Sequence, residues 1–149
     1  MTQSEIHHLL LVEDSASDAN LFMQYIRLGQ IAKEVTCVKT GEAALMYLRQ
    51  AEHYADAVRP DLIVLDLVLP GLSGQDLLAI IKTDPLLRQI PVLIFTGSTL
   101  ETDIQRAYSL HANCYLEKPL DARDYTTMLK AIEEFWLNLA VLPSKPSVI

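Results

Sequence analysis

The sequence predicts a doubly wound α/β fold, a five-stranded parallel sheet with helices on both faces. Short apolar runs alternate with longer stretches of helical spacing along the chain. Three of those runs, LLLV, LIVL and VLIF, are apolar throughout, as strands covered on both faces are. Strict β-α alternation then implies a parallel sheet with right-handed crossovers. For five strands the common order is 2-1-3-4-5, the flavodoxin-like order.

The strand-like runs fall at 7–12, 33–38, 61–66, 91–96 and 112–116. Each is about six residues long, an ordinary strand length. The second, KEVTCV, alternates and is more polar, which suits an edge. Helical spacing appears at 18–28 with Leu21, Phe22, Tyr25 and Ile26, and at 41–53 with Ala44, Leu45 and Leu48. It recurs at 75–83 with Leu77, Leu78 and Ile81, where Pro85 follows as a stop signal, and at 99–110 with Ile104, Ala107 and Tyr108. The last helix starts near the capping residue Asp121 and runs to about Leu139. No repeat or long linker interrupts the 149 residues, so the expectation is one domain over 1–149, with a core at about 7–140 and an irregular tail at 143–149.

The formal net charge of −7 argues against nucleic acid and anionic membrane as partners, since both need a basic face. No apolar stretch approaches a membrane span. The amino end reads as no signal peptide, and two cysteines make no disulfide framework. The expected compartment is the cytoplasm. In the predicted order Cys37 and Cys114 lie on opposite edges, roughly 19 Å apart, too far for a disulfide.

Ligands of such sheets bind at the carboxyl ends of the strands. There the first strand ends in Glu13 and Asp14, the third in Asp66 and the fourth in Thr96, and the fifth is followed by Lys118. Clustered carboxylates repel unless neutralised, and all-oxygen donors favour a hard divalent cation such as Mg2+. A carboxylate beside that cation can attack phosphorus, and a lysine adds positive charge for the same oxygens. The set fits phosphoryl transfer to a carboxylate.

These pieces together resemble the receiver domain of a two-component response regulator: LLLVEDS with its acidic pair, LIVLDLVLPGLSG around Asp66, VLIFTGS around Thr96 and CYLEKP around Lys118. The resemblance covers roughly residues 7–140 and implies the CheY-like form of the fold. QAEHYADAVRPD before the third strand, and LHANCYLEKP followed by a helix with FWL, are similar to the small single-domain regulators that serve cyanobacterial phytochromes. The resemblance implies that Asp66 is the phosphoacceptor and that Asp14 and Asp66 bind Mg2+ directly. Glu13 would reach the ion through water, and the Val68 backbone carbonyl would be a further ligand. It implies that Lys118 contacts the phosphoryl group and is joined to Pro119 by a cis bond. Thr96 would be the switch hydroxyl and Tyr115 the aromatic that turns inward with it. The partner implied is a sensor histidine kinase, of phytochrome type.

Taken singly, most of these residues have ordinary readings. Glu13 and Asp14 can begin a helix, Asp66 can cap a turn, Thr96 and Tyr115 are unremarked in strands, and Lys118 can be a solvated lysine. Co-location at one rim argues against those readings. His7, His8, His53 and His111 have no companions at metal-ligand spacing and read as structural or surface residues.

Three other functions fit less well. A phosphatase using an aspartyl phosphate resembles a DxD motif, but Val68 stands where its acid/base would be. A flavin carrier needs a phosphate loop where EDSASD places carboxylates. A receiver-like adaptor that is never phosphorylated has no need of the complete acceptor set. The expectation is therefore a signalling module, not an enzyme, working through protein contacts. The last helix carries a stripe of Tyr125, Met128, Leu129, Ile132, Phe135, Trp136 and Leu139, with Leu137, Val141 and Leu142 beyond it. That excess apolar surface either folds back on its own domain or forms a homodimer through the C-terminal helix and fifth strand, and the dimer is the expectation.

Overall fold

The computed structural model describes residues 8–29, 32 and 34–143. His7, Lys33 and tail residues 144–149 therefore lie outside the described residues. Five strands, β1 (His8–Val12), β2 (Glu34–Val38), β3 (Leu62–Leu65), β4 (Val92–Thr96) and β5 (Cys114–Glu117), form one parallel sheet in the order 2-1-3-4-5. Between and after them run α1 (Ala16–Leu28), α2 (Gly41–Leu48), α3 (Gly74–Thr83), α4 (Glu101–Ser109) and α5 (Ala122–Ile132).

Strand side chains alternate between faces. Leu10, Val12, Ile63, Leu65 and Ile94 join one core with residues of α2, α3 and α4. Leu9, Leu11, Leu62, Val64, Leu93 and Phe95 join the other, against Ala19, Phe22 and Ile26 of α1 and Tyr125, Leu129 and Ile132 of α5. Double coverage is why β1, β3 and β4 read as unbroken apolar runs. The edge strands β2 and β5 are only partly buried, and Cys37 and Cys114, one on each, are both free.

Side-chain caps start four helices: Ser15 for α1, Thr40 for α2, Ser73 for α3 and the expected Asp121 for α5. Two expected helices are shorter. The 41–53 stretch stops at Leu48, because Gln50 takes positive φ (53°), as does Glu52 (53°), the first residue of a 3-10 turn, Glu52–Tyr54. The 99–110 stretch begins at Glu101.

The C-terminal helix also departs from expectation. After Ile132 it continues as a π-helix, Glu133–Leu139. The change to i→i+5 bonding shifts the phase of every later side chain. Leu137, expected off the stripe, is buried, while Phe135 and Leu139, expected on it, are exposed. No described helix is long and apolar enough to cross a membrane.

Candidate functional site

The carboxyl edge of the sheet forms an open cleft lined by Glu13, Asp14, Ser15, Asp18, Asp66, Val68, Gly97, Ser98, Lys118, Pro119 and Leu120. Ladder bonds carry the chain right to this edge. Glu13 N–H donates to Val38 O (3.0 Å), Asp66 N–H to Val12 O (3.0 Å) and Lys118 N–H to Thr96 O (2.7 Å). Each residue just past a strand end is therefore held as firmly as the strand itself.

Asp66 is 6% exposed and Thr96 fully buried. Asp66 Oδ1 accepts hydrogen bonds from Thr96 Oγ1 (2.6 Å) and from the Val68 N–H (3.1 Å). Asp66 Oδ2 lies 2.8 Å from Lys118 Nζ. The same ammonium contacts Glu13 Oε1 and, at 2.9 Å, Asp18 Oδ2. Burial alone works to raise the Asp66 carboxyl, but the bonds from Lys118, Thr96 and Val68 outweigh it and hold it below the ordinary carboxylate range. Burial also disfavours the charge on Lys118, yet its bonds to Asp66, Glu13 and Asp18 leave it above the ordinary lysine range. For Glu13 burial wins: with repulsion from Asp66, it overcomes the bond to Lys118 and pushes the carboxyl up to about 7. One ammonium thus serves three carboxylates, which leaves the cluster short of positive charge.

That shortage is the test of fit for a divalent cation. The donors around the cleft are all oxygen, which suits a hard ion. Glu13 and Asp66 are buried beneath it, and Asp14 is exposed at its rim. Among the described residues no three carboxylates stand in a ready-made metal cage. Lys118 contacts Glu13 and Asp66, two of the carboxylates expected to hold such an ion, so ion and ammonium would share those anions.

The structure brings Glu13, Asp14, Asp66, Val68 and Lys118 to one cleft, with Thr96 at its floor. Tyr115 lies outside that wall, half-buried against the α2–α3–α4 core, with its hydroxyl donating to Ser98 O (2.9 Å). The expected cis Lys118–Pro119 bond is corrected: every peptide bond among the described residues is trans. Trans is the lower-energy isomer even before proline, and Lys118 reaches its carboxylates with it. His8, read as a structural or surface residue, places its imidazole 3.4 Å from Glu34, and its backbone N–H donates to Asp61.

Two residues escaped the reading of the sequence. Asp18 passes for an ordinary acidic residue in the first turn of α1, but that turn stands on the same rim as the strand ends. The signal was its position, four residues after Asp14 in a helix starting at the rim. Gly74 supports the site from below: a Cβ there would collide with Asp66 O and lie 2.5 Å from Leu67 Cα. Its N–H donates to Leu67 O (3.0 Å), tying α3 to the segment that carries Asp66.

Comparison with known proteins bears on the same region. Residues 9–130 match the family model of the response regulator receiver domain. The chain is 41% identical to response regulator Rcp1 of Synechocystis sp. (strain ATCC 27184 / PCC 6803 / Kazusa), over 91% of this chain and 92% of that one. It is 42% identical to the probable methanogenesis regulatory protein FilR2 of Methanothrix harundinacea (strain 6Ac), over 87% and 83%. The crystal structure of the Mn(2+)-bound form of Rcp1 superposes with a TM-score of 0.89 at 40% identity, covering 93% of this chain and 99% of that one. That of the phosphorylated cyanobacterial phytochrome response regulator RcpA gives 0.90 at 44% identity, with the same coverage.

Proposed function

The chain belongs to the response regulator receiver domain family, and from that premise we propose that Asp66 is the carboxylate that takes up the phosphoryl group in a two-component phosphorelay. One observation carries the assignment. Asp66 is the carboxylate on which a hydroxyl from β4 and an ammonium from the end of β5 converge, and both partners are suited to phosphoryl oxygens.

Held anionic by these bonds, Asp66 is a competent nucleophile at neutral pH. One of its oxygens bonds to phosphorus as the bond from phosphorus to a kinase phosphohistidine nitrogen breaks, and the bonding pair leaves with the imidazole. Lys118, which donates to Asp66 Oδ2 in the resting protein, turns its ammonium to the new phosphoryl oxygens. Glu13, Asp14, Asp66 and the Val68 carbonyl would hold a divalent cation. Mg2+ suits this donor set, and Rcp1 with Mn(2+) supports a divalent ion there. Bound, such an ion neutralises the carboxylates and draws phosphoryl oxygens to them.

Phosphorylation brings about −1.5 to −2 charge and three strong acceptors to Asp66. Thr96 Oγ1 leaves Asp66 Oδ1 for one of them, and Tyr115 turns toward the space Thr96 vacates. The output is a shift between two packings that alters protein contacts. Residues 1–149 act as one receiver domain in the cytoplasm, as a signalling protein rather than an enzyme. The partner is a sensor histidine kinase; its phytochrome type is supported by RcpA, a phytochrome response regulator. The charge of −7 speaks against nucleic acid and membrane as partners.

Intact mass after incubation with a small acyl phosphate and Mg2+ tests the assignment. Native protein should gain one phosphoryl group and Asp66→Asn none. Equal labelling of both would remove Asp66 as acceptor.

The homodimer is proposed on β5, an edge strand, and on exposed Phe135, Leu139 and Val141 at the end of the last helix. Scattering that finds only monomer at high concentration, with and without phosphorylation, would rule it out.

A further inference from the structure

A lysine ammonium carries three N–H donors, and that of Lys118 meets three carboxylate acceptors: Glu13 Oε1, Asp66 Oδ2 (2.8 Å) and Asp18 Oδ2 (2.9 Å). Glu13 and Asp66 belong to the set read as holding a cation. Asp18 does not, yet its place is fixed from two sides. Its N–H donates to the capping Ser15 Oγ (3.4 Å), and its carbonyl accepts the hydroxyl of Tyr125, a buried residue of α5 (3.2 Å). The Asp18 side chain is 31% exposed, against 3% for Glu13 and 8% for Asp66. It is therefore the outermost of the three acceptors.

A divalent ion taken up by Glu13 and Asp66 would compete with the ammonium for those carboxylates, and the two cations would repel each other. An ammonium loosened from both needs another anion. We propose that Asp18 is a positioning residue that keeps the Lys118 ammonium at the cleft when a divalent cation takes up Glu13 and Asp66. The proposal rests on the reading of those two residues as cation ligands. Asp18 already accepts one N–H of Lys118 and spends none of its charge on the ion. Without the ion it is one acceptor among three; with the ion it becomes the main one. By linkage, a group that matters more to the ammonium in the metal-bound state tightens metal binding. Asp18 also lies in the first turn of α1, where its charge favours the helix. That effect does not pass through Lys118, which lets an experiment separate the two.

The experiment is a double-mutant cycle on Mg2+ affinity, titrated by NMR at physiological ionic strength. The direct pull of the Asp18 charge on the ion is present with or without Lys118, so the difference between the two backgrounds isolates the part that passes through the ammonium. Asp18→Ala should weaken Mg2+ binding about fivefold more in the wild-type background than in Lys118→Ala, the equivalent of one net hydrogen bond. A second readout needs no variant of Lys118. In saturating Mg2+ the ammonium protons of Lys118 should exchange slowly with water in wild type and rapidly in Asp18→Ala. Asp18→Asn, which keeps an acceptor oxygen without the charge, should fall between them. Equal weakening in both backgrounds overturns the role of Asp18, and so do ammonium protons that stay protected in Asp18→Ala. Wild-type protein that takes up no Mg2+ counts instead against Glu13 and Asp66 as cation ligands.

Discussion

Thr96 Oγ1 donates to Asp66 Oδ1 across 2.6 Å, with Thr96 fully buried and Asp66 6% exposed. On the proposed roles, the hydroxyl that would switch is already bonded to the carboxylate that would accept the phosphoryl group. Taking a phosphoryl oxygen means exchanging one buried partner for another, and the cost of leaving either unsatisfied makes the change discrete rather than gradual.

Thr96→Val separates labelling from switching. Valine fills the same space but leaves Asp66 Oδ1 with only the Val68 N–H. The expected loss is about 1–3 kcal/mol of stability, the cost of an unmade bond in a buried site. Phosphorylation should still reach one group per chain by intact mass. The NMR signals of Tyr115 should stay in place on labelling; a normal Tyr115 response would end the role given to Thr96.

Lys118→Ala leaves Glu13, Asp18 and Asp66 without their shared cation. In metal-free buffer near pH 7 it should lose roughly 3 kcal/mol, as when one partner of a largely buried ion pair is removed. Mg2+ should recover much of this, since its charge would neutralise the same carboxylates. Denaturant midpoints with and without Mg2+ measure both. Metal binding should survive while labelling slows, so loss of Mg2+ binding would contradict the role assigned to Lys118.

Gly74→Ala forces a methyl group onto the backbone of Asp66 and Leu67. Backbone cannot rotate away as a side chain can, so the cost should reach about 3 kcal/mol. Because Asp66 itself must shift, labelling should fall more than stability explains. A thermal midpoint and labelling rate like those of wild type would show that the segment gives way easily.

Tyr25 anchors the π-helical end: its hydroxyl donates to Glu133 Oε1 at 2.9 Å. Burial, then the bond to Glu133 and the charges of Glu133 and Glu134, push the phenol up to about 12 from its ordinary 10.0. The folded state holds the proton more tightly than the unfolded one. The stability so gained is complete below pH 10 and is lost as pH rises from there toward about 12. Tyr25→Phe should cost about 1 kcal/mol at neutral pH and flatten the loss between pH 10 and 12. Denaturant curves across that range check it; parallel curves for the two proteins would count against the bond.

The strands and their order were legible because burial on both faces demands unbroken apolar runs, and β1, β3 and β4 obey it. Asp66, Thr96 and Lys118 were legible because parallel strands all end on one edge. Asp18 was not, since a helix side chain reaches the rim only through the angle at which α1 leaves β1. Leu137 was misplaced because a π-turn leaves no mark in an apolar pattern of helical spacing.

The sequence by itself determined the layered fold and which groups stand at the carboxyl edge, since periodicity and chain direction are properties of the chain alone. Tertiary structure alone decided how those groups are shared: Lys118 among three carboxylates, Asp66 Oδ1 between Thr96 and Val68, and Asp103 between Gln75 and Ser98. Hydrogen bonds act over about 3 Å, a distance fixed by how helices pack on the sheet. Side chains far apart in the chain meet at that range only after packing has set every element in place.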